Sequence, residues 1–144
     1  MPESMFEEIK YGNTIIGIIV RNNFEKNGIH FFTPNDFSQQ LAYMQHSKGK
    51  IIEPHIHNEV LRQINFTKEV LFIKKGKLQV DFYTDNKEFL ESRILSAGDI
   101  VLLASGGHGF TVIEDLEMIE VKQGPYAGDN DKIRFTPEIT KLRR

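Results

Sequence analysis

Short apolar runs recur along the chain about every ten residues, and most of them are rich in Ile, Val, Phe or Tyr. Gly, Asn and Asp separate the runs, and these residues are typical of turns. Runs of this length and composition predict β-strands, and strands at this spacing predict a sandwich or a barrel. The predicted strands are Ile15–Arg21, Ile29–Phe32, Gln40–His46, Ile51–His57, Glu69–Lys75, Lys77–Thr84, Phe89–Leu95, Ile100–Ala104, Gly109–Ile113 and Leu116–Gln123.

Turn chemistry places several strand ends. Lys75-Gly76 predicts a tight hairpin, and Asp85-Asn86 favours a turn through its side-chain oxygens. Ala97-Gly98-Asp99 and Glu114-Asp115 end their runs in the same way. Closely spaced hairpins imply antiparallel pairing, and no long run has a helical apolar period, so we expect an all-β fold with little helix.

Composition agrees with one globular domain. The 144 residues are 26% charged and 40% hydrophobic, without a Gly/Ser/Pro linker. The net charge of −2 gives no general attraction for a polyanion, and the basic cluster is confined to Lys141, Arg143 and Arg144. We therefore expect no nucleic-acid partner. The apolar run Ile15–Val20 is too short for a signal or a membrane span, which favours a cytoplasmic protein.

Two histidines form the sharpest local feature of the sequence. The chain has no cysteine, so a metal ion would need imidazole, carboxylate or amide oxygen ligands. His55 and His57 are two residues apart, and on a strand such residues point to the same face. They would then be able to bind one ion together.

The spacing around these histidines resembles the cupin superfamily. Its first motif has the form Gly, five residues, His-x-His, a spacer, Glu, six residues, Gly, which matches Gly49, His55, His57, Glu69 and Gly76.

The second cupin motif begins with Gly-Asp and ends on a histidine after a glycine-containing turn, which is similar to Gly98-Asp99 and Gly106-Gly107-His108. The resemblance covers roughly residues 40 to 123.

This resemblance implies a single-domain cupin, a double-stranded β-helix or jelly-roll barrel, in which His55, His57, Glu69 and His108 bind one divalent transition metal. Iron, manganese, nickel and zinc all suit such a site, and the sequence does not choose among them. It also implies a homodimer. Residues 40–123 would form the barrel core, residues 1–39 an arm packing on the barrel or a partner, and residues 124–144 a C-terminal extension.

Two departures from the cupin pattern leave alternatives open. Eleven residues separate His57 from Glu69 where the family has three or four, so residues 58–68 resemble an insertion. Glu59 and Gln63 are then rivals for the oxygen ligand, although the distance to Gly76 favours Glu69. In the second motif Ala104 replaces the usual proline, and His108 comes one residue early.

A second group of residues offers candidates for binding substrate, with a solvent-exposed loop arginine as the alternative for Arg62 and burial in the core as the alternative for Tyr43. Arg62 and Gln63 lie in the apparent insertion, and Tyr43 and Gln45 share a face of the strand before the first motif. Tyr126 follows the last strand and either covers the barrel mouth or packs against it.

Lys122 is a conditional candidate for the same group. Glu120 and Lys122 alternate with Ile119 and Val121, whose burial would leave the charged pair in solvent. If the opposite face of the strand lines the pocket, Lys122 becomes a candidate for binding substrate charge.

Three functions compete. The first, which is slightly favoured, is a metal-dependent enzyme acting on a small polar metabolite, with sugars among the candidates. The second is a non-catalytic module that binds a small molecule or a metal. The third is a metal-free sugar-nucleotide epimerase or ketoisomerase, with a histidine base and Tyr43 or Tyr126 as acid.

Overall fold

The structure is a computed structural model that describes residues 5–137. Strands account for 48% of it, and one short 3₁₀ turn at Gly128–Asp131 is the helical part. The all-β prediction with little helix is thus confirmed. Within residues 5–137, no helix is long and apolar enough to span a membrane. The strands are β1 (Phe6–Tyr11), β2 (Thr14–Val20), β3 (Gly28–Phe31), β4 (Ala42–Gln45), β5 (Glu69–Tyr83), β6 (Phe89–Ser96), β7 (Ile100–Leu103) and β8 (Gly107–Lys122).

The described residues form two compact units. The first, which we call the sheet unit, contains residues 5–24 and 67–137, and the second, the hairpin unit, contains residues 25–66. In the hairpin unit, β3 pairs antiparallel with β4, so that Tyr43 lies opposite His30. The predicted domain boundaries after residues 39 and 123 stay predictions, and the basic cluster of Lys141, Arg143 and Arg144 lies outside the described residues.

Strand β5 is the centre of the six-stranded sheet, whose order is β1-β2-β7-β5-β6 with β8 also pairing β5. The first part of β5 pairs with β7 and the second part with β6, while β8 follows β5 from Glu69 to Tyr83. All pairs are antiparallel, as the turn spacing predicted.

Long strands replace two predicted hairpins. Lys75-Gly76 and Glu114-Asp115 were expected to be turns, but β5 and β8 each continue through these positions as one strand. Instead of turns, the β5–β8 ladder has register shifts between Ile73 and Leu78. Gly76 has a φ of +89°, and an added Cβ would collide with the carbonyl oxygen of Asp115. The glycine therefore serves a bulge where two backbones approach closely.

This bulge keeps one face of β5 buried along its whole length. Before the bulge the buried side chains are Leu71 and Ile73, and after it they are Leu78, Val80 and Phe82. The alternation thus changes from odd to even positions where the register shifts. Both halves of the strand consequently face one core, and the sheet curls into a half-barrel.

The core fills the concave side of this sheet. Gly17 on β2 lies where an added Cβ would be 2.7 Å from Cε1 of Phe82, so the aromatic ring packs directly on the backbone of β2. The buried cluster consists of Ile9, Ile16, Ile19, Leu71, Ile73, Leu78, Val80, Phe82, Leu95, Val101 and Leu103.

Two further sequence predictions need correction. Strand β1 was not predicted, because its consecutive Glu7 and Glu8 hide the alternation, although Gly12 and Asn13 form the turn that pairs it with β2. Conversely, the predicted strand Ile51–His57 is wrong: residues 46–66, here called the coil segment, contain no strand. Pro54 in its middle cannot donate to a ladder, and its apolar side chains are exposed.

Candidate functional site

Glu69 and His108 meet inside the curled sheet unit. Glu69 begins β5 opposite Lys122, while His108 lies near the start of β8 opposite Phe82. The two residues are thus near opposite ends of one ladder, yet Nε2 of His108 is 3.6 Å from Oε1 of Glu69. Only the curl of the sheet brings them together. Both side chains are largely buried, with 29% of His108 and 16% of Glu69 exposed.

The surroundings of Glu69 favour its ionised form. The nearby His108 side chain is the largest cause that lowers the pKa of Glu69, which falls to about 2 although burial opposes this effect. The value of about 2 includes the lowering by the nearby Glu120 and by the charges of His108 and Lys122. The nearby Glu69 carboxylate, together with burial, raises the pKa of Glu120. The pKa values of the two carboxyl groups thus shift in opposite directions, and Glu69 is the one whose ionised form is favoured.

At the end of β8, the face that the sequence predicted to be buried is exposed. Ile119 and Val121 are 53% and 56% exposed. Glu120 and Lys122 occupy the other face, opposite Leu71 and Glu69 in the register with β5. The expectation that Ile119 and Val121 are buried is wrong: on the opposite face Lys122 is half-buried, and Glu120 is exposed like its neighbours.

Lys122 also contacts the 3₁₀ turn that follows the sheet. Its Nζ lies 3.7 Å from Oδ2 of Asp131, and the Thr67 hydroxyl donates a short hydrogen bond to the same carboxylate. Sequence reasoning missed Asp131, and it placed Glu120 in solvent, which agrees with the exposure of this residue. Neither residue belongs to a motif; the register of β8 with β5 indicates Glu120, but Asp131 lies beyond this ladder and no local signal indicates it.

His55 and His57 are close together within the hairpin unit. Both lie in the exposed coil segment, and their ring centroids are 5.3 Å apart in an edge-to-face arrangement. Nδ1 of His55 lies 2.8 Å from the carbonyl oxygen of Glu53, to which it donates a hydrogen bond. This tautomer leaves Nε2 of His55 as the acceptor nitrogen, which is the one a metal ion would bind.

The remaining candidates lie in three places. Tyr43 and Gln45 are half-buried in β4 of the hairpin unit. Arg62 and Gln63 are exposed in the coil segment, as is the rival ligand Glu59, and Gln63 donates to the Asn65 side chain. Tyr126 is 90% exposed and thus does not cover the core of the sheet unit.

The second-motif aspartate has a structural role. Asp99 is buried, and its carboxylate accepts hydrogen bonds from the backbone amides of Ser96 and Asn22 and from the Arg21 guanidinium. It thereby fixes the β6–β7 turn that the sequence predicted at Ala97-Gly98-Asp99.

A search of residues 5–137 finds no group of three or more His, Asp or Glu side chains arranged to hold a metal ion. The structure does bring Glu69 together with His108 in one unit and His55 together with His57 in the other. The four-ligand set stays a prediction. Comparison of the chain with protein-family models, curated proteins and solved structures finds no match.

Proposed function

We propose that this protein is a metal-binding cupin that holds one divalent transition ion and acts on a small polar metabolite. The observation that carries the proposal is the Glu69–His108 pair, in which a charged carboxylate and an imidazole converge inside a curled β-sheet. Without cysteine in the chain, these are the donor types that bind iron, manganese, nickel or zinc.

The proposed ligand set is that of the sequence prediction, namely His55, His57, Glu69 and His108. The Glu69–His108 pair supports it from the sheet unit, and the hydrogen bond that orients His55 supports it from the hairpin unit. A carbonyl that accepts from one imidazole nitrogen is the usual outer partner of a metal-binding histidine, because it fixes the ring and its tautomer.

Such an ion would supply Lewis acidity at one or two open coordination positions, where it polarises a carbonyl or hydroxyl of the bound metabolite. The protein residues would then hold the ion, exclude water and place the metabolite. The lowered pKa of Glu69 supports this role, since a carboxylate must be ionised to bind a metal ion.

Elemental analysis of the purified protein tests the proposal. We expect about one transition ion per chain, and we expect His108→Ala and Glu69→Gln to lower the bound metal to less than about a tenth, because each removes one ligand. His46→Ala is the matched control, since His46 is an exposed histidine outside the proposed set. The proposal is contradicted if the purified protein contains no transition ion and binds none when the ion is added.

The same pair also favours one rival function. A histidine next to an ionised carboxylate is the arrangement that general acid–base catalysis uses, so His108 would be the base of a metal-free epimerase or ketoisomerase. The metal measurement separates the two functions. If the wild type is active without bound metal and the His108→Ala variant is inactive, the protein is the acid–base enzyme.

A further inference from the structure

The end of β8 carries its charged and apolar side chains on the unexpected faces. Ile119 and Val121 are more than half exposed, whereas Lys122 lies on the concave side, next to Glu69, with 29% of its side chain exposed. Placing apolar side chains outward and a lysine inward works against the hydrophobic effect. Departures of this kind from the folding pattern are expected where function requires them.

The contacts of Lys122 leave it able to bind something else. Its Nζ is 3.7 Å from Oδ2 of Asp131, which is too long for a hydrogen bond, while Oδ1 of the same carboxylate accepts from Thr67. Glu69 lies opposite Lys122 in the ladder, and its Oε1 is 3.6 Å from Nε2 of His108. The ammonium therefore has donors that these carboxylates do not use.

We infer that Lys122 binds an anionic group, a carboxylate or a phosphate, on the small molecule that the proposed metal site accepts. This inference rests on the proposed function, because Lys122 lies beside the proposed ligand Glu69. It narrows the ligand from a polar metabolite to an organic acid or a phosphorylated compound. A compact ammonium on a flexible stem suits either group.

The charges around Lys122 predict that the anion binds only together with the metal. Glu69 and Glu120 face the lysine from β5 and β8, Asp131 faces it from the 3₁₀ turn, and the charge of Lys132 acts on Glu120. The carboxylates outnumber the strong cations near the proposed site, so they repel an anion from the metal-free protein. A divalent ion on Glu69 and His108 reverses that balance.

Calorimetric titration with two small probes tests the inference. Pyruvate serves as the carboxylate probe and methyl phosphate as the phosphate probe, each added to Mn²⁺-loaded and to metal-free protein. We expect at least one probe to bind the loaded wild type, with about tenfold or greater weakening in Lys122→Gln. Lys122→Arg should retain binding because it keeps the charge, and both variants should keep wild-type Mn²⁺ affinity.

Lys77→Gln is the matched control, because Lys77 belongs to an exposed ion pair with Glu114 on the other half of the β5–β8 ladder. It should bind metal and probe like the wild type. Three results would overturn the inference: neither probe binds the loaded wild type, Lys122→Gln binds as well as wild type, or Lys122→Gln and Lys122→Arg both lose the probe. Wild type that binds no Mn²⁺ would overturn the proposed function itself.

Discussion

Glu7 is the carboxylate on which two arginines of the sheet unit converge. Its Oε2 is 2.9 Å from Nε of Arg21, and its Oε1 is 3.0 Å from Nε of Arg93. Burial raises the pKa of Glu7, but the hydrogen bonds and charges of Arg93 and Arg21 outweigh burial and lower it below 4.5. A single residue on β1 thus links β2 to β6.

Replacing Glu7 should make the free energy of unfolding less dependent on pH in the acid range. The contribution of a carboxylate with a lowered folded pKa is complete above its unfolded pKa and is lost as the pH falls through the folded pKa. We expect Glu7→Gln to cost about 1 kcal/mol of unfolding free energy at pH 7. The gap to wild type should close as the pH falls below 4.5, as measured by denaturant unfolding across pH.

Glu8→Gln is the control for this prediction, since the neighbouring Glu8 makes only a 3.6 Å pair with the exposed Lys10. It should lower stability by less than about 0.5 kcal/mol. An equal loss in both variants, or a gap for Glu7→Gln that stays constant down to pH 3, would show that the two arginines do not depend on the charge of Glu7.

The metal prediction also belongs to single residues, and there the sequence was informative in part. Spacing indicated that His55 and His57 lie side by side, and their rings do lie together, although not on a strand. For Glu69, the preference over Glu59 and Gln63 came from its distance to Gly76. The structure adds the contact between Glu69 and His108, which spacing does not reveal because it depends on the curl.

At the level of strands, β5 and β8 show that one sequence signal, a glycine between two apolar runs, fits either a hairpin turn or a bulge. Gly76 has the positive φ that also occurs in hairpin turns, and a local sequence pattern does not distinguish a turn from a bulge. The decision depends on whether a partner strand continues past the glycine. Strand β8 does continue, and its backbone at Asp115 fills the place of a Cβ.

Gly76→Ala should therefore be strongly destabilising. The alanine must adopt a φ of +89° and its Cβ must displace the Asp115 carbonyl oxygen, so we expect a loss of about 3 kcal/mol. Chemical denaturation measures this loss. The variant should also weaken Mn²⁺ binding, because the bulge curls the strand that places Glu69 near His108.

Gly12→Ala separates the collision from the backbone strain. Gly12 also has a positive φ, +61°, but nothing lies within 4 Å of its added Cβ. We expect a loss of only about 1 kcal/mol for this variant. Similar losses at both glycines would mean that β8 does not pass close to Gly76.

At the scale of the whole molecule, the coil segment is a feature that proteolysis can probe. Residues 46–66 have no strand and are exposed throughout, and they include Ile56 and Leu61 with exposures of 92% and 100%. Such segments are preferred sites of proteolysis, because the backbone must leave its folded conformation to enter a protease.

Limited trypsin digestion should cut metal-free protein first in this segment, at Arg62 or at the neighbouring lysines, Lys48 and Lys50. If His55 and His57 bind the ion, stoichiometric Mn²⁺ should slow this cleavage about tenfold or more, because binding restrains the segment. Mass spectrometry of the first fragments measures both effects. Digestion of His57→Ala should be unaffected by Mn²⁺, and protection that persists in this variant contradicts ligation by His57.

The sequence by itself determined the all-β class, the low helix content and the positions of β2, β3, β4, β6 and β7 to within a few residues. It did so because strand formation depends on local alternation and on turn residues that act over two to four positions. It also determined the donor types available to a metal ion, since that is a matter of composition.

Only the tertiary structure decided which side of each alternation faces the core. A two-residue period defines two faces but does not say which is covered, so Ile119 and Val121 were assigned to the wrong one. The tertiary structure also decided that Gly76 forms a bulge instead of the predicted turn, and that His108 lies near Glu69. These features depend on residues far apart in the chain, and no local pattern contains that information.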